Sequence, residues 1–296
     1  MTTLAATAAD RISFGIAGWS YPDWEGYVYP PGTRDTLACI APYMDVVEVN
    51  STFYRPPAAK TAASWAARTA NLARFTFTAK LHQDITHHGL IAPELVAAFH
   101  EGLRPLVEAG RLSHLLAQFK WDFADTPAAR ERLARIREAF GDLANVTLEL
   151  RHNSWQSPEA LAWLGALRVT VANLDYPTAK NSFTLAQCTV GEHAYFRLHG
   201  RNAKAWFDRH AGRDETYNYL YSGEELDRIA ARAVKLAELS KALTLVANNH
   251  YQGKEAANAL EIKARVLQRK VPVPPLLLEK YPRLRDIASH APPPGA

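Results

Sequence analysis

Short apolar runs recur along this chain, and within most of them the polar residues share one alternation parity. In the run Val146–Arg151 the even positions are apolar, whereas the odd positions are Thr, Glu and Arg. Alternate side chains of a strand point to opposite faces. Glu149 and Arg151 are therefore expected on one face of a strand, and Leu148 on the other. The repeated pattern predicts strands whose polar faces converge on one site.

Eight strands follow from these runs, and helical patterns separate most of them. The predicted strands are Ile12–Ala17, Val46–Asn50, Phe75–Lys80, His114–Phe119, Val146–Arg151, Val169–Asn173, Tyr195–His199 and Leu243–Asn248. The predicted helices are Thr33–Tyr43, Ala58–Arg68, Pro93–Ala109, Pro127–Phe140, Ser157–Leu167, Ser222–Ser240 and Lys254–Gln268. This alternation predicts an α/β fold, a TIM-like (β/α)8 barrel, and the 296 residues suit one such domain.

Three segments depart from a regular barrel. Tyr176–His193 lacks a helical period and contains Pro177, so the sixth helix is expected to be missing or degenerate. Gly200–Ser222 is expected to be a long loop, of the kind that serves as a lid or binding loop. Val271–Ala296 is Pro-rich at both ends and is expected to be an extended tail beyond a barrel of about residues 12–268.

Composition limits which cellular compartment and which binding partners are expected. The formal net charge of +4 is compatible with a small polar or anionic ligand and supports a nucleic-acid partner only weakly. Cys39 and Cys188 lie too far apart for a metal-finger spacing. No apolar stretch approaches the roughly 18 residues that a membrane span needs. With no signal-peptide pattern at its start, the chain is expected to be cytoplasmic, without a membrane partner; the oligomeric state is left open.

Six blocks at the predicted strand ends have a distinctive order. They are GIAGWSYPDWEG, VEVNSTFYRPP, FTFTAKLHQDITHH, LELRHNSW, YFRLHGRN and NNHYQGKEAANAL. They resemble the signature blocks of the domain-of-unknown-function-72 family, DUF72, also called YecE-like, over about Ile12–Leu267. The resemblance implies a TIM barrel and a loose relation to sugar isomerases. It implies a site location and no particular reaction, because the activity of that family is not established.

Catalytic candidates come from the strand ends, where the active sites of such barrels lie. Glu149 and Glu48 are candidate acid–base carboxylates, although structural ion pairs with Arg151 and Lys80 would explain them equally well. Lys80 could be a general acid, a clamp for an anion or, if its pKa is lowered, a Schiff-base lysine. His199 could exchange protons near neutral pH or be a hydrogen-bonded structural histidine.

Substrate-binding candidates come from the same strand ends and the loops after them. They are Trp19, Asn50, Tyr54, His82, Arg151, Asn173, Arg197 and Asn248. Arg151, Arg197 and Arg201 together suggest an anion clamp. Trp19 and Tyr54 follow strand ends closely enough to stack on a ligand, whereas most other loop aromatics are expected to form an apolar cap.

Cofactor binding finds little support in the residue pattern. Glu149, Asp175 and His199 could supply three ligands to a divalent metal, but the eighth strand ends in Asn248-Asn249-His250 without a carboxylate. A divalent metal is therefore possible but not favoured, and no residue is assigned as a metal ligand. The chain contains no glycine-rich fingerprint or P-loop, so no nucleotide cofactor is expected.

Three functions remain open from the sequence. The leading hypothesis is an enzyme, of the sugar isomerase or epimerase kind, that acts on a small polar or anionic sugar-like substrate by carboxylate and histidine acid–base chemistry. Metal-assisted hydrolysis, as in nucleases or glycosidases, is the second. A non-catalytic protein that binds nucleic acid or a small anion is the third.

Overall fold

The computed structural model describes residues 7–289, and within them eight parallel strands close into a barrel. Each strand pairs with the next along the chain, and the last pairs with the first. The strands are β1 Ile12–Ala17, β2 Val46–Val49, β3 Thr76–Lys80, β4 Leu112–Gln118, β5 Asn145–Glu149, β6 Thr170–Asp175, β7 Ala194–Leu198 and β8 Leu243–Ala247. The predicted TIM-like barrel is thereby confirmed.

Long helices surround this barrel on its outer side, and short helices lie in the connections. They are α1 Thr36–Ile40, α2 Ala59–Arg68, α3 Pro93–Glu108, α4 Pro127–Phe140, α5 Pro158–Ala166, α6 Ala203–Phe207, α7 Arg213–Thr216, α8 Gly223–Glu238, α9 Lys254–Leu267 and α10 Pro275–Lys280. None of these helices, within residues 7–289, combines the length and the apolar character that a bilayer crossing requires.

Side-chain caps fix where two of the long helices begin. Ser157 accepts a hydrogen bond from the backbone N–H of Ala160 at 3.1 Å, and Pro158 occupies the first position of α5. Ser222 and Glu225 form the predicted capping box at the start of α8, with distances of 3.3 and 2.8 Å. These short polar signals explain why helix boundaries could be read from the sequence.

Strand alternation divides the apolar residues into two layers. Residues of one parity pack against the helices, as Val47, Phe77 and Leu148 do. The opposite parity fills the barrel interior, where a small apolar cluster consists of Ala17, Val46, Ala172, Leu174, Tyr195 and Val246. A Cβ atom at Gly15 would lie 1.9 Å from the carbonyl oxygen of Val46, so β1 and β2 could not pair closely there with a larger residue.

The connection between β6 and β7 contains no helix in residues 176–193, all of which the structure describes, in agreement with the prediction. Arg232 of α8 covers part of this gap. Its guanidinium donates to the carbonyl oxygens of Leu174 and Ala186 at 2.9 and 2.5 Å and lies 4.3 Å from the Phe196 ring centroid. A long side chain from the next helix therefore replaces the missing one.

Two other expectations are wrong. Gly200–Ser222 is not a continuous loop, because α6 and α7 form within it. The tail is not extended over residues 271–289: Val271 bridges to Ala288, and Leu277 and Leu284 are fully buried. The apolar residues between the prolines dock on the barrel, which removes their surface from water. Residues 290–296 of the tail lie outside the described residues.

Candidate active site

A buried arginine connects two carboxylates at the carboxyl end of the barrel. Arg197 donates from Nη2 to Oε1 of Glu48 at 2.6 Å and from Nη1 to Oε2 of Glu149. All three side chains are at most 1% exposed. Burying charges is costly, and direct pairing with hydrogen bonds offsets that cost. The predicted carboxylates are thus held on one interior surface, with Arg197 between them.

The remaining carboxylate oxygens also have donors. The hydroxyl of Tyr195 donates to Oε2 of Glu48 at 2.9 Å. Arg151 donates to Oε1 of Glu149 from Nε and Nη2 at 2.9 and 2.5 Å, and His199 Nε2 lies 3.2 Å from the same oxygen. All four oxygens of Glu48 and Glu149 therefore have partners.

The proton affinity of Glu149 is low. Burial alone would raise its pKa, but Arg197, Arg151 and His199 together hold that pKa well below the ordinary value. A carboxylate of this kind stays ionised at neutral pH and is a weak base. Glu149 is consequently better suited to orienting Arg151 and His199 than to removing a proton.

His199 is neutral and bonded at both ring nitrogens. Its Nδ1 receives a hydrogen bond from the side-chain amide of Asn248 at 2.9 Å, and its Nε2 faces Glu149. Burial lowers the pKa of His199 to about 4, against the opposing charge of Glu149. The ring is fully buried. His199 therefore acts as a fixed hydrogen-bonding link between the ends of β5, β7 and β8.

Lys80 lies at the end of β3. The ion pair with Glu48 that the sequence suggested does not form, because Arg197 and Tyr195 occupy both oxygens of that carboxylate. Its Nζ lies 4.5 Å from the centroid of the Phe53 ring. Within residues 7–289 this Nζ atom makes no ion pair and no hydrogen bond. Burial, and then the charge of Arg197, lower the pKa of Lys80 to about 8.

Aromatic rings from the β6–β7 and β7–α8 connections cover the network. The guanidinium carbon of Arg151 lies 5.2 Å from the Trp206 ring centroid and 5.9 Å from that of Tyr176. The series continues from Trp206 to Tyr217 at 6.1 Å, to His250 at 5.2 Å and to Tyr21 at 4.7 Å. We call this set the aromatic arc; it comprises Tyr176, Trp206, Tyr217, His250 and Tyr21.

Two predicted binding residues lie at the rim near β2 and β3. The side-chain amide of Asn50 donates to the carbonyl oxygen of Ala17 at 2.9 Å, which joins the ends of β1 and β2. His82 is bonded through Nε2 to the backbone oxygen of Tyr54 at 2.9 Å and accepts from the Asp84 N–H through Nδ1 at 3.1 Å. Both side chains therefore organise the rim through backbone contacts.

Two predicted aromatic contacts lie elsewhere. The Trp19 ring packs edge-on against Trp65 and Phe77, with centroids 5.5 and 6.3 Å away. Because Phe77 belongs to the layer against the helices, Trp19 points to that layer instead of the barrel mouth. Tyr54 is 67% exposed on the surface of the loop after β2. Closeness to a strand end did not predict the direction of either ring.

Asn173 does not face the mouth, because the polar residues of β6 have the opposite parity from those of its neighbours. Its side chain donates to the carbonyl oxygen of Cys188 at 2.9 Å and accepts from the Cys188 N–H at 2.8 Å. The interior positions of β6 are instead the apolar Ala172 and Leu174. Asn173 thus fastens the helix-free connection between β6 and β7.

Asp175 also points away from Glu149 and His199. It accepts from Arg201 at 2.9 and 2.6 Å and from the Tyr221 hydroxyl at 2.8 Å. The three metal ligands considered from the sequence are therefore not assembled, and no group of three or more His, Cys, Asp and Glu within residues 7–289 is placed to hold a metal ion. Arg201 is correspondingly not part of an anion clamp with Arg151.

The sequence reasoning missed two residues next to the network. Tyr195 shares its strand parity with Arg197, so the alternation that identified Arg197 would have found it. Glu255 lies on α9, is fully buried and accepts from the Ala17 N–H at 3.4 Å. Burial raises the pKa of Glu255 well above the ordinary value. Nothing in the helical pattern distinguishes this glutamate from a solvent-exposed one.

A cavity of about 520 Å³ opens at the opposite, amino end of the strands. Its lining includes the apolar side chains of Phe14, Met44 and Phe75. Lys263 and Asp45, which also line it, neutralise each other across 2.9 Å. The buried charges and the lowered pKa of Lys80 lie at the carboxyl end, so the candidate site is placed there.

Comparisons with known proteins agree with this architecture. A family model described as protein of unknown function DUF72 matches residues 13–281. Among solved structures, a DUF72 family protein from Thermotoga maritima MSB8 is 30% identical, with a TM-score of 0.75 over 87% of this chain and 99% of that one. A DUF72 family protein from Enterococcus faecalis V583 is 26% identical, with a TM-score of 0.75 over 89% of this chain and 98% of that one.

More distant structures carry less information. A D-psicose 3-epimerase from Clostridium cellulolyticum H10 covers 93% of this chain and 99% of its own, with 11% identity and a TM-score of 0.47. A likeness at this level transfers neither substrate nor reaction to this chain. Among curated proteins no similar sequence is found.

Proposed function

The chain belongs to the DUF72 family of proteins of unknown function, and from that premise we propose that its barrel mouth is the active site of an enzyme for a small, anionic, sugar-like substrate. One observation carries the proposal. Two partly exposed cations, Lys80 and Arg151, stand beside a buried network whose own charges are satisfied, and rings of the aromatic arc lie against Arg151. An anionic ligand would supply an acceptor for Lys80 Nζ, which has no carboxylate partner within residues 7–289, and for Nη1 of Arg151, which Glu149 leaves unused.

Arg151 is the proposed anion-binding residue. Its Nε and Nη2 bind Glu149, which fixes the plane of the guanidinium and leaves Nη1 for a carboxylate or phosphate oxygen of the substrate. The side chain keeps 14% exposure. Trp206 and Tyr176 lie against the guanidinium and offer apolar faces to a sugar ring. Arg197, which the sequence suggested for this role, is too deeply buried and instead holds the two carboxylates.

Proton transfer is assigned to Lys80. The two glutamates, first candidates from the sequence, have every oxygen engaged, so their proposed role is to hold the surrounding cations in place. An amine with a pKa of about 8 is matched to proton exchange near neutral pH. The reaction class proposed is isomerisation or epimerisation next to a carbonyl group, because these reactions need such a proton exchange.

The test is a binding and turnover screen with the full-length protein. Thermal shift and calorimetry would compare sugar phosphates and sugar acids with neutral sugars, followed by NMR of the bound sugars for turnover. Anionic sugars should raise the melting temperature, and Lys80→Met and Arg151→Met should remove the effect. Lys241→Met, which removes a charge paired with Glu192 at 2.8 Å in the loop before β8, is the matched control.

Two outcomes of the screen change the proposal. If no anionic sugar stabilises the protein, or if Lys80→Met and Arg151→Met bind it like the unsubstituted chain, the proposed site is wrong. If anions bind at the mouth without turnover of any sugar, the alternative of a non-catalytic anion-binding protein is favoured. Binding of that kind should weaken steeply with salt when a nucleic acid is the ligand.

A further inference from the structure

We propose that Lys80 reacts as an amine with a carbonyl group of the substrate, an aldose or ketose that carries an anionic group, and forms an iminium ion. This inference rests on the proposed function, since it assigns a reactive group to the substrate of that same site. It goes further because it makes Lys80 a covalent catalyst, in place of a group that only exchanges protons, and names the functional group it attacks.

The first support is that Lys80 pairs with neither of the two carboxylates that Arg197 connects. The oxygens of Glu48 are occupied by Arg197 and Tyr195. Those of Glu149 are occupied by Arg197 and by Arg151, with His199 close by. An ammonium bound to a carboxylate is held protonated. Lys80 has no such partner within residues 7–289, so no direct carboxylate contact has to be broken when its ammonium group loses a proton.

The second support is the surroundings of the amine. Its Nζ lies 4.5 Å from the centroid of the Phe53 ring, an apolar neighbour on one side whose face favours the charged form of the amine. Burial, and then the charges of Arg197 and Arg151, lower the pKa of Lys80 to about 8, against the opposing charges of Glu48 and Glu149. A lysine that is desolvated and placed beside other cations is activated as a nucleophile. The strand end also places Lys80 on the interior face, two residues beyond Thr78.

The third support is that the two cations suit different groups of the substrate. Arg151 presents a planar guanidinium beside two aromatic rings, and this fork of donors suits recognition of a carboxylate or phosphate. A second anion-binding group is not required for one charged substituent. Lys80, with its compact and readily deprotonated amine, is therefore free to meet the carbonyl end of the same molecule.

The reaction balances without a further reagent. The Nζ lone pair forms a bond to the carbonyl carbon, and the π pair moves to oxygen, which takes up the proton that nitrogen loses. A second proton on that oxygen lets it leave as water while nitrogen forms the C=N bond. Amine, carbonyl compound and one proton thus give iminium and water. The iminium carries the charge of the ammonium it replaces and acidifies the neighbouring C–H bond.

The experiment is reductive trapping of the full-length protein. Glyceraldehyde 3-phosphate and dihydroxyacetone phosphate are the probes, sodium borohydride reduces any iminium, and peptide mass spectrometry locates the secondary amine. Lys80 should be labelled about tenfold faster than any other lysine near pH 7.5. Lys80→Met should lose this label, and Lys241→Met should retain it. Spectroscopic melting of both variants confirms that they are folded.

A parallel measurement separates this inference from the proposed function. Calorimetry with 3-phosphoglycerate, an anion without an aldehyde or ketone group, reports on the site alone. Binding of 3-phosphoglycerate at the mouth with label spread evenly over surface lysines would overturn the iminium and leave the proposed site standing. Absence of both binding and label would overturn both. Selective label on Lys80, blocked by 3-phosphoglycerate, supports both.

Discussion

The side-chain amide of Asn248 donates a hydrogen bond to Nδ1 of His199 across 2.9 Å. Nδ1 is therefore an acceptor, so the proton of the neutral ring is on Nε2, 3.2 Å from Glu149. Burial keeps the pKa of His199 at about 4. One residue after the end of β8 thus determines the tautomer of a histidine after β7, and through it the direction of a hydrogen bond to the carboxylate of β5.

Asn248→Asp should reverse that tautomer. A carboxylate at this position accepts a hydrogen bond from Nδ1–H, whereas the amide donates to a bare Nδ1. Nitrogen-15 NMR with labelled histidine should show Nδ1 of His199 unprotonated at pH 7 in the unsubstituted protein and protonated in Asn248→Asp. Asn248→Leu, without donor or acceptor, is the control. A protonated Nδ1 in the unsubstituted protein would contradict the assignment.

Arg197→Met should strongly destabilise the fold. The substitution keeps most of the side-chain length and leaves Glu48 and Glu149 buried without the cation between them. Removing one member of a buried charge cluster costs about 3–5 kcal/mol. The loss of unfolding free energy, measured with urea at pH 7, should be smaller at pH 5, where the native state can neutralise the carboxylates by protonation.

The matched control for Arg197→Met removes all three charges together. Glu48→Gln combined with Arg197→Met and Glu149→Gln replaces the ion pairs by neutral groups of similar volume, so no unpaired carboxylate is left in the interior. This triple variant should recover a large part of the lost stability. If it is less stable than Arg197→Met alone, the charges are not the reason for the destabilisation.

Three buried neutral histidines should lose their contribution to stability as the pH falls, whereas Glu255, whose pKa burial raises, contributes with the opposite sign. Burial lowers the pKa of His114 to about 3 and those of His199 and His250 to about 4, from an ordinary value of 6.5. Below pH 6.5 the unfolded chain binds protons that the native state excludes. The stability contributed by these neutral rings is therefore complete above pH 6.5 and is lost as the pH falls towards 4. Urea titrations of Glu255→Gln at several pH values measure the contribution of the histidines without that carboxyl, and a flat profile between pH 6.5 and 4.5 would contradict it.

His250→Phe should stabilise the protein. Both ring nitrogens of His250 are buried without a hydrogen-bond partner within the described part of the chain, and the ring stacks on Tyr21 at 4.7 Å. Phenylalanine keeps the stack and removes the unpaired polar atoms, each of which costs about 1–3 kcal/mol. The gain should be larger at pH 5 than at pH 8. At pH 5 the unfolded state of the unsubstituted protein is stabilised by a proton on His250, and the phenylalanine variant cannot bind that proton. A gain that is the same at both pH values would show that the proton linkage is wrong.

Alternation of apolar and polar positions predicted much of the interior correctly. Glu48, Glu149, Arg197 and His199 lie together because each occupies the interior parity of its strand. Their partnerships were not predictable, because parity gives a direction and not a distance. The preference of Glu48 for Arg197 over Lys80 depends on how far each side chain reaches across the closed barrel, which strand order alone does not define.

Strand β6 shows why parity fails where the outer layer is incomplete. Elsewhere apolar residues face the helices, but no helix follows β6 in residues 176–193. Its outward residue Asn173 meets backbone groups of a loop, which need hydrogen bonds. Its inward residues Ala172 and Leu174 leave room for the large side chains of β7 such as Tyr195. The polar residues therefore exchange faces on this strand.

Asn173→Ala separates structural from functional polar residues at the strand ends. The substitution leaves the N–H and the carbonyl group of Cys188 without their side-chain partner in a buried region. Two lost hydrogen bonds of this kind should lower the unfolding free energy by about 2–4 kcal/mol. Because the side chain points away from Lys80 and Arg151, the affinity for an anionic sugar should stay the same at a temperature where the variant is folded. The same two measurements on Asn50→Ala, which removes an asparagine at the rim beside β1, provide the comparison. A loss of affinity in Asn173→Ala without a loss of stability would mean that this asparagine contacts the ligand after all.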